Sequence, residues 1–176
     1  EHVAKAYAGI PALRDGRLSL RAGSVHALCG GNGAGKSTFL SILMGITQRD
    51  AGNILLNGAP VHFHRPSEAL AAGVAMITQE LEPIPYMTVA ENIWLGREPR
   101  RAGCIVDSKE LNRRTRELLE SLEFEVEATA PMHRLSVAQI QLVEIAKAFS
   151  HDCQVMIMDE PTSAIGEREA ETLFKA

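Results

Sequence analysis

No apolar run in this chain approaches the roughly 18 residues that a membrane-crossing helix needs, so no stretch reads as spanning a bilayer. Cysteine is scarce. Cys29, Cys104 and Cys153 are odd in number and far apart, which argues against a disulfide framework and for a reducing compartment. Cys29 and Cys153 fall in apolar, strand-like stretches and are expected as small core residues. Positive charge is not in excess either: 18 Lys and Arg face 22 Asp and Glu, a net charge of −4. The densest basic cluster is Arg97, Arg100 and Arg101 with Arg113, Arg114 and Arg116. It reads as a solvated face and a helix surface, not as a nucleic-acid site. Internal repeats, low-complexity segments and a visible signal peptide are missing as well. What is there is an ordinary domain of 176 residues, 45% apolar and 23% charged, long enough to bury one good core.

The most informative stretch is Gly30-Gly31-Asn32-Gly33-Ala34-Gly35-Lys36-Ser37-Thr38, which fits the phosphate-binding pattern G-x-x-x-x-G-K-[ST]. Val25, Ala27, Leu28 and Cys29 before it read as a buried strand. Phe39, Leu40, Ile42, Leu43 and Met44 after it have helical spacing, and Gly45 stops the helix. Glycines let the backbone wrap phosphates with no Cβ in the way. Successive N–H groups form an anion nest, and a helix beginning near Lys36 aims its positive end at the same point. Lys36 would reach the β- and γ-phosphates, and the Ser37 hydroxyl would ligate Mg²⁺.

Upstream, Val3–Tyr7, Leu18–Leu20 and Val25–Leu28 read as short strands, with turn-like Gly9-Ile10-Pro11 and Arg21-Ala22-Gly23 between them. Tyr7 lies on the first strand, where chemistry alone suggests packing. Ile54–Leu56 and Val61–Phe63 make a hairpin around Asn57-Gly58. His62 and His64 would share a strand face, but no third metal ligand accompanies them, so they read as surface histidines. Pro66–Ala72 is a short helix closed by Gly73, and Val74–Ile77 a buried strand ending at Thr78-Gln79. From there to about Ser150 the chain reads as helical. Capping boxes are expected at Thr88–Glu91, Asp107–Glu110 and Ser136–Gln139. Val155–Met158 returns to strand and ends in Asp159-Glu160, and Glu167–Ala176 reads as a helix. The result is an α/β domain with a helical subdomain: residues 1–79 and 151–176 for the α/β core, residues 80–150 for the helical part.

A carboxylate at the end of a buried strand beside a phosphate loop can hold Mg²⁺, a role that suits Asp159. Glu160 would then face the γ-phosphate and orient or deprotonate the attacking water.

Gly30–Thr38, Gln79, Leu135-Ser136-Val137-Ala138-Gln139 and Met156–Pro161 occur in the order and rough spacing of ABC-type ATPases, and the chain resembles that family over essentially its whole length. Leu135–Gln139 resembles the family signature usually written LSGGQ. The resemblance implies a P-loop NTPase fold with a RecA-like core, an antiparallel β subdomain and a helical subdomain, truncated at the C-terminus. It implies two ATP molecules, with Mg²⁺, sandwiched between two such domains. By the same resemblance Tyr7 stacks on adenine, and Gly30, Asn32, Gly33, Ala34, Gly35, Lys36, Ser37 and Thr38 hold the phosphates. Lys36, Gln79 and Glu160 serve catalysis, while Ser37, Gln79 and Asp159 serve the metal. Gln79 also couples the site to a membrane partner. Ser136, Ala138 and Gln139 reach the nucleotide of the opposite domain.

The resemblance has departures. Val137-Ala138 replaces the Gly-Gly of the signature, Ser163-Ala164-Ile165-Gly166 stands where an acidic or polar residue usually ends the D-loop, and the family's switch histidine would come after Ala176. Val25–Leu28, Arg65–Ala69, Gly73–Leu81, Thr88–Ile93 and Val143–Ala148 look like bacterial importers of the ribose, xylose and galactose type. That closer resemblance implies the first of two nucleotide-binding domains, carried in one chain or paired with a second. It further implies transmembrane permease subunits, a periplasmic or extracellular sugar-binding protein, no nucleic acid, and a peripheral place on the cytoplasmic face of the bacterial inner membrane. Three other readings remain open: a non-transport ABC ATPase in DNA repair or on ribosomes, a regulatory nucleotide-binding module that never turns over, and a P-loop kinase. The sequence does not name the sugar.

Overall fold

The computed structural model describes residues 1–78, 81–151 and 153–159. They fall into two compact units, one of Glu1–Ala75 with Cys153–Ile157, the other of the described residues within Met76–Asp152 and Met158–Ala176.

In the first unit, β1 (Val3–Tyr7) pairs antiparallel with β2 (Ile10–Gly16), Tyr7 opposite Ile10 and Val3 opposite Gly16, with bulges between. The turn is Ala8-Gly9, both with positive φ (48° and 82°), as a two-residue hairpin of this hand requires. The turn expected at Gly9–Pro11 therefore lies one residue earlier, and Pro11 sits inside a strand, tolerated in a two-stranded ribbon where a missing N–H leaves no ladder broken beyond it. Helix α1 (Lys36–Leu43) lays Phe39 and Ile42 against Val3, and Leu13, Leu43 and Ile54 close around them. Gly45, at φ 70°, ends the helix, and the Ile46 N–H returns to the Ser41 carbonyl. The hairpin of β3 (Ile54–Leu56) and β4 (Ala59–Val61) turns through Asn57-Gly58 as expected. His62 and His64 lie just past β4 with ring centroids 4.4 Å apart. Helix α2 (Pro66–Ala71) opens on proline, and the Glu68 carboxylate accepts the His64 N–H at 2.8 Å. Strand β5 (Val74–Ile77) pairs with β8 (Val155–Met158). The Val155 N–H meets the Gly73 carbonyl and the Asp159 N–H meets that of Ile77, so the two strands rise together, a parallel pair joined by a long crossover.

Four expectations fail here. Leu18–Leu20 and Val25–Leu28 form no strand, and Val25 is 88% exposed. An apolar run becomes a strand only when a neighbour takes its N–H and C=O groups, and no described residue does so. Cys29, expected in the core, is exposed for the same reason, and Cys153 is half-buried.

The second unit is built on helices. Helix α3 (Val89–Ile93) packs against both α4 (Ser108–Ser121) and α5 (Val137–Phe149). Leu111, Thr115 and Leu119 form the buried stripe of α4 at four-residue intervals. The Thr115 hydroxyl donates to the Leu111 carbonyl and accepts the Trp94 indole N–H at 3.0 Å. The helical run is broken by a small hairpin, β6 (Arg100–Arg101) and β7 (Ile105–Val106), turned by Ala102-Gly103 at positive φ. The boxes at Thr88 and Ser136 form as expected. At Asp107 only half of one forms: its carboxylate accepts the Glu110 N–H at 3.2 Å, but Glu110 turns away to Arg113 and Arg114. Two nearby guanidiniums outcompete a single backbone N–H for that carboxylate. The helix expected over Glu167–Ala176 lies outside the described residues.

Candidate nucleotide-binding site

The glycine loop opens directly into α1. Its N-cap, Gly35, is left-handed at φ 85°, ψ 10°, and no side chain caps the helix. The first-turn N–H groups therefore stay available to a ligand, and no acidic residue stands in that turn to repel an anion. Gly33 is also left-handed, and the Ala34 N–H closes a turn on the Gly31 carbonyl at 3.2 Å. Only glycine fits at 35. A Cβ there would stand 2.7 Å from the Ala12 carbonyl oxygen, in a backbone conformation that L side chains rarely adopt. A cavity of about 390 Å³ opens over residues 32–38, with Ala12 of β2 as its other wall. Lys36 folds back over the loop and donates to the Gly30 and Gly31 carbonyls at 2.6 and 3.1 Å. Ser37 is exposed, whereas Lys36 and Thr38 are half-buried.

Tyr7 ends β1, 48% exposed, with the Lys5 ammonium 5.6 Å from its ring centroid. Asp159 follows β8 directly, half-buried, its N–H tied to Ile77 at 3.0 Å. At the start of α5, the Ser136 hydroxyl oxygen accepts the Gln139 N–H at 3.3 Å. The Gln139 amide oxygen accepts the Ser136 N–H at 3.0 Å. Val137 is 63% exposed at the first helical position, and Ala138 is half-buried. Gln79 and Glu160 lie outside the described residues.

A family model described as ABC transporter matches residues 13–163. This chain belongs to the ABC transporter family. A putative ribose/galactose/methyl galactoside import ATP-binding protein of Ralstonia nicotianae is 52% identical over 173 residues, 98% of this chain and 33% of that protein. The ribose import ATP-binding protein RbsA of Rhodopirellula baltica is 51% identical over 99% of this chain and 34% of its own length. The ABC chain thus spans about a third of the length of the curated relatives it matches. Among solved structures, an ATP-binding cassette of an ABC transporter in its ADP conformation superposes with a TM-score of 0.82 at 25% identity, over 99% of this chain and 72% of that one. A dimeric ATP-binding cassette bound to ADP and Pi gives 0.80 at 24%, over 99% and 78%. The fold is therefore that of the P-loop ATPase cassettes, as the sequence resemblance implies.

Two features of this ABC chain escape its sequence. Ala12 walls the cavity although nothing in its own segment hints at phosphate chemistry; only the pairing of β2 with β1 brings it there. Asn92, buried in α3, is a polar residue on an otherwise apolar face, the pattern Val89, Ala90, Asn92, Ile93 being all buried. That mismatch is the signal that could have singled it out.

Proposed function

We propose that this chain is the first nucleotide-binding domain of an ATP-hydrolysing subunit that energises import of a monosaccharide through a membrane permease. The observation that carries the reading is the Gly35-capped helix, with its uncapped N–H groups and Lys36 poised over one cavity. The names of its relatives narrow the transported class to sugars of the ribose and galactose kind.

In this reading residues 1–79 with 151–176 are the ATP-binding core, and residues 80–150 the helical subdomain. N–H groups from Gly33 to Thr38 take the phosphate oxygens, and Lys36 leaves its carbonyl partners to bridge the β- and γ-phosphates. Tyr7 stacks on adenine. The donors offered to Mg²⁺ are a hydroxyl (Ser37), an amide oxygen (Gln79) and a carboxylate (Asp159), a hard-oxygen set that fits that ion. Bound there, Mg²⁺ would neutralise charge on the phosphate oxygens. Glu160 orients the attacking water and takes its proton. Ser136, Ala138 and Gln139 meet the nucleotide of a second domain, from the same chain or a fused one. Val137 and Ala138 place methyl groups where glycines would let the backbone come closer. The permease is the other partner, with a periplasmic or extracellular sugar-binding protein acting through it, and the subunit sits peripherally on the cytoplasmic face of the inner membrane. No helix among the described residues is long and apolar enough to cross a membrane.

The test is uptake of labelled ribose and galactose by vesicles that carry the full-length protein with its permease, enclose ATP and are supplied with the sugar-binding protein. ATP-dependent uptake lost in the Lys36→Ala variant is the expected result. Turnover of ATP with no uptake of any sugar would overturn the transport reading.

A further inference from the structure

Residues 85–90 and 128–133 run antiparallel and exchange backbone hydrogen bonds. The His133 N–H meets the Pro85 carbonyl at 2.9 Å, Met132 meets Met87 at 3.0 Å, Val89 meets Ala130 at 2.9 Å and Ala90 meets Ala128 at 3.0 Å. Thr88 and Pro131 face each other between these rungs. The His133 Nδ1 also lies 3.0 Å from the Pro85 carbonyl oxygen, and its ring packs beside Tyr86. Val89, Ala90, Ala128 and Met132 are fully buried, so the inner rungs are dry, while Pro85 and His133 at the outer rung are exposed.

Asn92 secures one end. It is 2% exposed. Its Oδ1 accepts the Ile84 N–H at 2.8 Å, and its Nδ2 donates to the Ile84 and Thr88 carbonyls at 3.2 and 3.0 Å. Only a short amide offers one acceptor and two donors at that reach. At that same end, where His133 pairs with Pro85, the Met132–Arg134 turn leads through the Leu135 N–H, bonded to Met132, into Ser136. The segment that follows Gln79 is thereby tied to the segment that precedes Ser136.

We propose that Asn92 is a positioning residue: by clamping Ile84 and Thr88 it keeps the ladder closed and so sets the placement of Ser136 for ATP hydrolysis. The inference rests on the proposed role of Ser136 at a nucleotide site. An inner rung that opened beside Met132, Val89 or Ala90 would leave a buried N–H or C=O unpaired, so these rungs hold together. The exposed Pro85–His133 rung is kept closed by the Asn92 clamp on the adjoining Ile84, and the ladder moves as a body. A displacement of residues 84–88 therefore reaches Met132 and the turn before Ser136. The phosphate loop lies in the other compact unit.

The test uses the full-length protein with its permease and the variants Asn92→Ala and Asn92→Asp. The second keeps the size and an acceptor for the Ile84 N–H while removing both donors, and it serves if the alanine variant does not fold. Amide exchange is followed at Met132 and His133, which Asn92 does not touch, and at Ile145 and Ala146 inside α5. The expected result is exchange at least about tenfold faster at Met132 and His133 with Ile145 and Ala146 unchanged. ATP turnover should fall roughly 10- to 100-fold, the range for residues that orient a working group, with KM for ATP within about twofold of wild type. Faster exchange confined to Ile84, faster exchange spread to Ile145 and Ala146, or unchanged turnover would each overturn the proposal. Absence of ATP turnover in the wild-type protein would instead overturn the functional reading, and the exchange pattern would still decide whether Asn92 controls the ladder.

Discussion

The Lys36 ammonium donates to the carbonyl oxygen of Gly30 at 2.6 Å, six positions back along its own loop. The cation thus satisfies the loop's carbonyls from inside, and in the proposed reading a bound phosphate would exchange those neutral acceptors for anionic ones. A bond with both partners ionised is stronger than one with only the donor charged, so the exchange would run toward the nucleotide.

Replacing Lys36 with Ala should abolish tight MgATP binding. A hydrogen bond to a charged group contributes about 1.5–3 kcal/mol, so the affinity loss should be at least about tenfold. Calorimetric titration with ATP and Mg²⁺ measures it, and an unchanged affinity would remove the loop from the site.

Gly35→Ala tests the loop from the backbone side. The left-handed conformation costs a non-glycine residue about 1–2 kcal/mol, and the Ala12 carbonyl 2.7 Å from the new Cβ adds to it. Relief requires β2 or the loop to shift. A lower melting temperature together with weaker ATP binding is expected; a variant with both unchanged would contradict the geometry.

Glu160→Gln should leave ATP binding intact and slow hydrolysis at least about 10²-fold, the lower end for a positioned base, because the amide can hold the water but not take its proton. Single-turnover kinetics on the full-length protein read the chemical step directly. Full turnover would transfer the role of base to Asp159 or to a chain of waters.

The signature can be restored with Val137→Gly and Ala138→Gly. Removing both side chains opens the approach to the N–H groups at the start of α5, so transport should persist and the ATPase rate should stay level or rise. A large loss of rate would mean that the exposed Val137 and half-buried Ala138 pack usefully against a partner.

Acid should loosen the start of α4 in a defined window. The Arg101 guanidinium holds Asp107 at about 2, below its ordinary 3.8, and Arg113, with Arg114, holds Glu110 at about 2, below 4.5. Both pKa values are depressed in the folded state. Their contribution is therefore complete above the ordinary values and is lost as pH falls from about 4.5 through 2. Urea melts across that range should show stability declining, and Arg101→Ala should flatten the part due to Asp107. The arginines of both pairs are solvent-exposed, so high salt should flatten it too.

Local chemistry by itself determined a good part of this protein. Gly30–Thr38 spells a phosphate loop because glycine freedom and a lysine at fixed spacing suffice to build one. Thr88, Ser136, Asn57-Gly58 and Gly73 marked their caps and turns because those depend on groups within four residues. Leu135–Gln139 and Met156–Pro161 carry the resemblance to the family in their residues alone. Tertiary structure decided the rest. Val25–Leu28 is apolar enough for a strand yet remains unpaired among the described residues, because a ladder needs a neighbour that its own sequence does not encode. Pro11 sits in a strand because Ala6 lies opposite it. Ala12 became a wall of the cavity, and Asn92 a clamp on Ile84, through partners brought close only by folding. A hydrogen bond within one turn can be read from spacing, whereas one between distant segments exists only once the burial of apolar residues has brought them together.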